Sequence, residues 1–267
     1  MLSISKVCSL ICSFSLAFLF LARNLHFCWR LLFFLTFILG WSLLNSCRKD
    51  SDEEGYESYR YELWKKCIQN NYQIDFVGQQ YDDGTYSNFM GQSFDRDHEG
   101  IGGIETEGVL NNIEEVLLQT NNLDAVLLCI GGNDLLNGDD PQTAIDNIGL
   151  IIEEIQNRFP GNVVFLEQIA PGNNEIMTND FTQKLSEFND LIYNIAAAYS
   201  TPSASVIAVD MSTNFTENFL ADDVHYNQNG AVFIAEQYYS SISTVFNSQE
   251  SLKILPLGDS RVEGARP

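Results

Sequence analysis

A serine hydroxyl is a poor nucleophile until a base takes its proton. The sequence ends in "KILPLGDSRVEGARP", residues 253 to 267, where an apolar run leads into a Gly-Asp turn and then Ser260. A strand followed by a sharp turn is a mount that presents a hydroxyl to solvent. Beyond residue 46 the chain holds two histidines, His98 and His225. His225 follows Asp222 by three residues in "LADDVHYNQNG". At that spacing the carboxylate accepts from one ring nitrogen and holds the tautomer, which leaves the other nitrogen for a serine. His98, in "DRDHEGIGGIETEG", reads as a structural or substrate-loop residue. These residue types point to acyl transfer through a serine ester, with no cofactor and no metal. The cysteines show no metal-binding spacing, and the two beyond the first 47 residues, Cys67 and Cys129, read as buried thiols.

These residues need elements to bring them together. "YESYRYELWKKCIQNN" (56–71) has helical spacing and "YQIDFVG" (72–78) reads as a strand. "IETEGVLNNIEEVLLQT" (104–120) is an amphipathic helix with Val109, Ile113, Val116 and Leu117 on one face. "LDAVLLCIGG" (123–132) is a continuous apolar strand, the pattern of a strand buried on both faces. A helix with Pro141 in its first turn follows, then the strand "NVVFLEQIAP", a helix opening near Thr178, the strand "SVIAVDM" and the helix "NQNGAVFIAEQYYSSISTVF". "LKILPLGDS" closes the chain as a fifth strand. Strands alternating with helices of this length predict a parallel sheet covered on both faces. In such sheets, sites assemble beyond the C-terminal strand ends. "GGND" (131–134), Asp222 with His225, Ser260 and the Gly-rich stretch before residue 105 are all expected on that one rim.

Together, a GDS block, a glycine in a second block, G-x-N-D and D-x-x-H resemble the SGNH hydrolases, also called GDSL esterases, over residues 56 to 267. "DFVGQQ", "DRDHEG", "VLLCIGGND" and "VDM" look like the branch that contains acetylxylan esterases and related carbohydrate deacetylases. The resemblance implies a three-layer α/β/α, flavodoxin-like fold with five parallel strands in the order 2-1-3-4-5. It implies Ser260 as nucleophile, His225 as base and Asp222 as its orienting acid. It also implies an oxyanion hole made of the Ser260 N–H, the Gly103 N–H and the Asn133 side-chain amide, with Gly100 and Gly102 open as alternatives to Gly103. The family carries its GDS block first, whereas here it comes last. Joining Pro267 to the region near Gly55 restores an unbroken family N-terminus, so the chain is expected to be circularly permuted. A rival reading takes "KDSDEEG" (49–55) as the block, with Ser51 as nucleophile. Lys49 there replaces the glycine of the turn, and no apolar strand precedes it.

The formal charge is −22, and the residues after position 46 hold all 36 acids against 11 bases. A surface of that sign repels nucleic acid and anionic membranes and is compatible with neutral substrates such as acylated sugars. Residues 1–46 hold apolar segments, three bases and no acid, and read as a leader. "LNSC" (44–47) resembles the lipobox of bacterial lipoproteins, which implies lipidation at Cys47, export, a membrane anchor and a periplasmic or cell-surface location. The acidic stretch to residue 55 then reads as a tether, and 56–267 as the hydrolase domain. The expected activity is removal of small acyl groups, acetyl above all, from carbohydrate. A lipase or thioesterase, and an inactive glycan-binding version, are the alternatives.

Overall fold

The computed structural model describes residues 58–264, all within the compact unit Gly55–Pro267. The leader, Cys47, the tether and Ser51 lie outside the described residues. In chain order the elements are α1 (Tyr59–Gln69), β1 (Gln73–Phe76), β2 (Gln80–Tyr81), β3 (Asp97–Gly100), α2 (Thr106–Gln119), β4 (Ala125–Cys129), α3 (Gly132–Asn137) and α4 (Pro141–Arg158). They continue with β5 (Val163–Gln168), α5 (Asn179–Tyr199), β6 (Ser205–Asp210), α6 (Gln228–Val245), β7 (Ser251–Gly258) and the short α7 (Ser260–Glu263). Polar residues start the helices. The Ser58 hydroxyl accepts from the Arg60 N–H, the Thr178 hydroxyl accepts from the Phe181 N–H, and the Asn227 side chain accepts from the N–H groups of Asn229 and Gly230. Pro141 is the first residue of α4, where its missing N–H costs nothing.

The sheet runs β2-β3-β7-β4-β5-β6, and β1 also pairs with β7. All pairings are parallel except β2 with β3. The strand that comes last in the chain is therefore interior, with β4 on one side and β1 and β3 sharing the other. Its side chains split cleanly by alternation. Leu255 and Leu257 join Val126, Leu128, Val164 and Leu166 under α2, α4 and α5. Leu252 and Ile254 join Ala125, Leu127, Val163 and Phe165 under α1 and α6. Burial on both faces is why these strands read as unbroken apolar runs. A proline inside a central strand would normally forfeit a ladder bond. Here β1 pairs with β7 only up to Ile254 and β3 takes over at Leu257, so Pro256 falls where neither pairs.

The sheet has seven strands rather than five. The additions are β2 and β3, and β3 is the stretch "DHEG" within the Gly-rich segment before residue 105. It is short and polar, with no period-2 alternation, and is a strand because it pairs with β2 over its first half and with the end of β7 over its second. The strand expected over 123–132 ends at Cys129, since Gly131 turns the chain with φ +107 and α3 begins at Gly132. Cys67 and Cys129 are free and buried. Among the described residues no helix is long and apolar enough to cross a membrane.

Candidate active site

Ser260 is the first residue of α7, directly after β7. The turn depends on Gly258, which has φ +156 and would place a Cβ 1.8 Å from the Cys129 carbonyl oxygen. A side chain would force β4 and β7 apart at this point. Asp259 caps α7 by accepting from the Arg261 N–H. The Ser260 N–H itself is matched to no acceptor among the described residues.

The candidate base arrives from the loop between β6 and α6. His225 Nε2 lies 2.9 Å from Ser260 Oγ, and His225 Nδ1 lies 2.7 Å from Asp222 Oδ2. The other Asp222 oxygen accepts from the backbone N–H groups of Val224 and His225 at 2.9 and 2.7 Å. Burial alone would raise the Asp222 carboxyl, but these donors together with the imidazole outweigh it and hold the group below its usual range. Asp222 is therefore an acceptor with its charge in place. Nδ1 donates to it, and Nε2 is left to accept the serine proton.

The "GGND" stretch approaches from α3. Asn133 Nδ2 donates to the Ile104 carbonyl at 2.9 Å. Buried Asp134 accepts from the Thr106 N–H and hydroxyl, and so caps α2, whose own N-cap Glu105 makes no side-chain cap bond. Two adjacent residues thus clamp the loop that contains Gly103. Of its three glycines, Gly100 and Gly102 face Glu263, where a Cβ would meet the backbone nitrogen at 2.3 Å and the carboxylate at 2.7 Å. Gly103 has φ +75 and open space around it. Its N–H, like that of Ser260, has no acceptor among the described residues.

A cavity of about 30 Å³ opens beside the serine, lined by Gly132, Asn133, Asp259, Ser260 and Arg261 on the polar side. Leu136, Ile169, Ile176, Phe181, Leu185 and Val224 form its apolar wall. Gly103 is not among the lining residues. A larger polar groove of about 490 Å³ lies elsewhere, around Asp75, Asp97, Thr120 and Lys253. It contains no serine or histidine, and Lys253 is paired with Asp75 at 2.9 Å.

His98 is in another place. It is buried in β3 and its Nδ1 accepts from the Gly100 N–H at 3.0 Å. Burial, and then the charge of Arg60, push its pKa down to about 3. It is a neutral strut of the Gly-rich loop. The sequence reading missed the buried charges around the serine: Arg261, Glu167, and Arg60 with Asp82. A charged residue within an otherwise apolar segment, as in "VVFLEQIA", was the available signal for Glu167.

A serine, a histidine and an aspartate joined in one hydrogen-bonded chain on the rim of a parallel-dominated α/β/α sheet define a hydrolase class. The chain belongs to the GDSL-like lipase/acylhydrolase family, whose model matches residues 71–232, more than half of its length. No curated protein sequence matches it. Among solved structures it is similar to a family 3 carbohydrate esterase from Clostridium thermocellum, with 28% identity and a TM-score of 0.58 over 73% of this chain and 90% of that one. It is also similar in fold to a carbohydrate esterase family 3 protein from Talaromyces cellulolyticus, with 24% identity and a TM-score of 0.62 over 72% and 92%. Family and fold are those of acyl esterases.

Proposed function

We propose that the protein is a serine esterase that removes acetyl groups from carbohydrate. The observation that carries this reading is the hydrogen-bonded chain Asp222–His225–Ser260 beside a small apolar cavity. Ser260 Oγ attacks the ester carbonyl while its proton passes to His225 Nε2. The negative charge on the former carbonyl oxygen is met by the N–H groups of Ser260 and Gly103 and by the Asn133 amide. Each such donor is worth roughly 2.7–4 kcal/mol in enzymes where one has been removed. The leaving alcohol takes the proton from His225. Water then repeats the sequence on the acetyl-serine, releasing acetate and restoring Ser260.

The acyl preference follows from size. One water needs about 10–15 Å³ of such space, so a cavity of about 30 Å³ has room for two or three atoms of that size. That size supports an acetyl group as the preferred acyl group. Carbohydrate as the alcohol is supported by the Clostridium thermocellum neighbour, described as a carbohydrate esterase, and by the acidic surface, which disfavours anionic polymers.

Two further elements belong to this reading. The first is circular permutation. It is supported by the interior position of the last strand and by the packing of Gly264 against Ser58, where a Cβ would lie 3.1 Å from the Ser58 Cβ. The second is a lipid anchor at Cys47, supported by "LNSC" after an apolar run. Cys47→Ser is expected to move the protein to the soluble fraction of a bacterial host, and retention in the membrane would refute the anchor. The function itself is tested by rates on p-nitrophenyl acetate, butyrate and octanoate and by acetate release from acetylated xylan. The expected result is a steep fall with acyl length and release from the polymer. No hydrolysis of any ester would favour a glycan-binding role, and preference for octanoate a lipase.

A further inference from the structure

The residue after the nucleophile is an arginine, and it is 8% exposed. Burying a guanidinium is costly unless its charge and donors are matched. Among the described residues no carboxylate lies within ion-pair distance of it. Its fork is directed instead at two backbone carbonyls. Nε donates to Val224 O at 3.1 Å and Nη1 donates to Ala170 O at 3.0 Å. The guanidinium carbon lies 5.1 Å from the centre of the Tyr226 ring. Val224 and Tyr226 are the chain neighbours of His225. The covalent neighbour of Ser260 therefore grips the residues on both sides of the histidine that faces Ser260.

We propose that Arg261 is a positioning residue, which sets the distance between Ser260 and His225 by holding the histidine's loop against the serine's turn. That loop runs from the end of β6 to α6 with a single 3-10 turn, Glu217–Phe219. The bonds between Asp222 and His225 lie within the loop, so they shape it without docking it. On the outer side Asn173 bonds Asp223 through its N–H at 2.8 Å and its amide at 2.7 Å. On the inner side Arg261 supplies the donors. Glu167 supports the same arrangement from below, accepting from the hydroxyls of Tyr226 and Tyr238 at 3.3 and 2.9 Å. Its charge and that of Asp259 face the guanidinium. An apolar side chain of similar volume would fill the space but leave those two carboxylates without their counter-charge. What it would lack is the planar fork that fixes two carbonyls at once, which a lysine also lacks.

The inference rests on the esterase reading, and its test has one arm that needs no substrate. Arg261→Lys keeps the charge and loses the fork. Arg261→Met with Glu167→Gln removes the guanidinium together with the carboxyl beneath it, so that a folded variant is available if the first is unstable; near-UV circular dichroism verifies folding. A misplacement of about 1 Å costs on the order of 10²-fold in rate. The expected result is therefore a kcat about 10²-fold lower with KM changed by less than about twofold, the pattern of a lost transition-state arrangement. In proton NMR, the low-field imidazole resonance that His225→Ala abolishes should shift or vanish in Arg261→Lys. Folded variants with wild-type kcat and an unmoved resonance would overturn the proposal. If the wild type hydrolyses no ester, the esterase reading falls, and the resonance alone decides on Arg261: unmoved refutes it, displaced sustains it.

Discussion

Two buried arginines flank the serine's turn, and they are held in different ways. Arg60, on α1, is fully buried and paired with Asp82 at 2.9 Å. Its Nε donates to Val262 O at 2.9 Å and its Nη2 to Glu263 O at 3.3 Å, so it ties the outgoing α7 to the first described helix. Burial dominates its surroundings and lowers its pKa despite Asp82. Burial would lower Arg261 as well, but Tyr226, Cys129, Asp259 and Glu167 together outweigh it and raise its pKa. Arg60 has a carboxylate partner and grips the scaffold. Arg261 has carbonyl partners and grips the loop that carries His225. On the proposal above, Arg60 fastens the fold and Arg261 the geometry of the site.

The turn between these two clamps carries Ser260, the proposed nucleophile. The largest effect is expected from Ser260→Ala, a loss of acetyl-ester hydrolysis on the order of 10⁴-fold or more, while Ser51→Ala stays near wild type. His225→Ala should lose a similar amount, and the double variant no more than either single, since the residues act as a unit. A dead Ser51→Ala would transfer the site to residues 49–55 and dissolve the comparison.

Arg60→Met separates the two clamps. Removing one member of a buried pair costs about 3–5 kcal/mol, so its denaturation midpoint should drop by that equivalent. The kcat of its folded fraction should stay within about threefold of wild type, the reverse of Arg261→Lys. Equal losses of kcat in both would erase the distinction.

The buried groups beside each clamp should give pH dependences of opposite sign. Burial raises Glu167, near Arg261, from 4.5 to about 7. Its contribution to stability is full below pH 4.5 and is lost as pH rises through 7. His98, on the Arg60 side, is lowered from 6.5 to about 3. Its contribution is full above pH 6.5 and is lost as pH falls towards 3. Glu167→Gln should remove roughly 3 kcal/mol of the decline between pH 4.5 and 8 seen by chemical denaturation. His98→Asn should flatten the acid side instead. A Glu167→Gln profile parallel to wild type would mean that the carboxyl titrates normally.

The smallest effect concerns the cavity wall on the Arg261 side. Phe181→Ala should raise the propionate-to-acetate ratio of kcat/KM by about tenfold, within the 1–3 kcal/mol that one methylene is worth in an apolar pocket. An unchanged ratio would remove Phe181 from acyl selection.

What the sequence alone determined is local. Asp222 and His225 were legible as a pair because their contacts span three residues and form within one turn. Ser260 was legible because an apolar strand and a Gly-Asp turn adjoin it directly. The major helices were legible from periodicity and capping residues, which act within a few positions. The tertiary structure decided the rest. β3 is a strand because β2 pairs with its first half and the end of β7 with its second, and "DHEG" has no pattern of its own to announce that. Gly103 is separated from Gly100 and Gly102 by where Glu263 packs, 160 residues further along the chain. Nothing near Arg261 in the sequence marks it as buried, and its two carbonyl partners lie 37 and 91 residues away. The physical reason is common to all three. Pattern and spacing report interactions between near neighbours, whereas the burial of a charge or the choice among glycines is set by groups that only folding brings into contact.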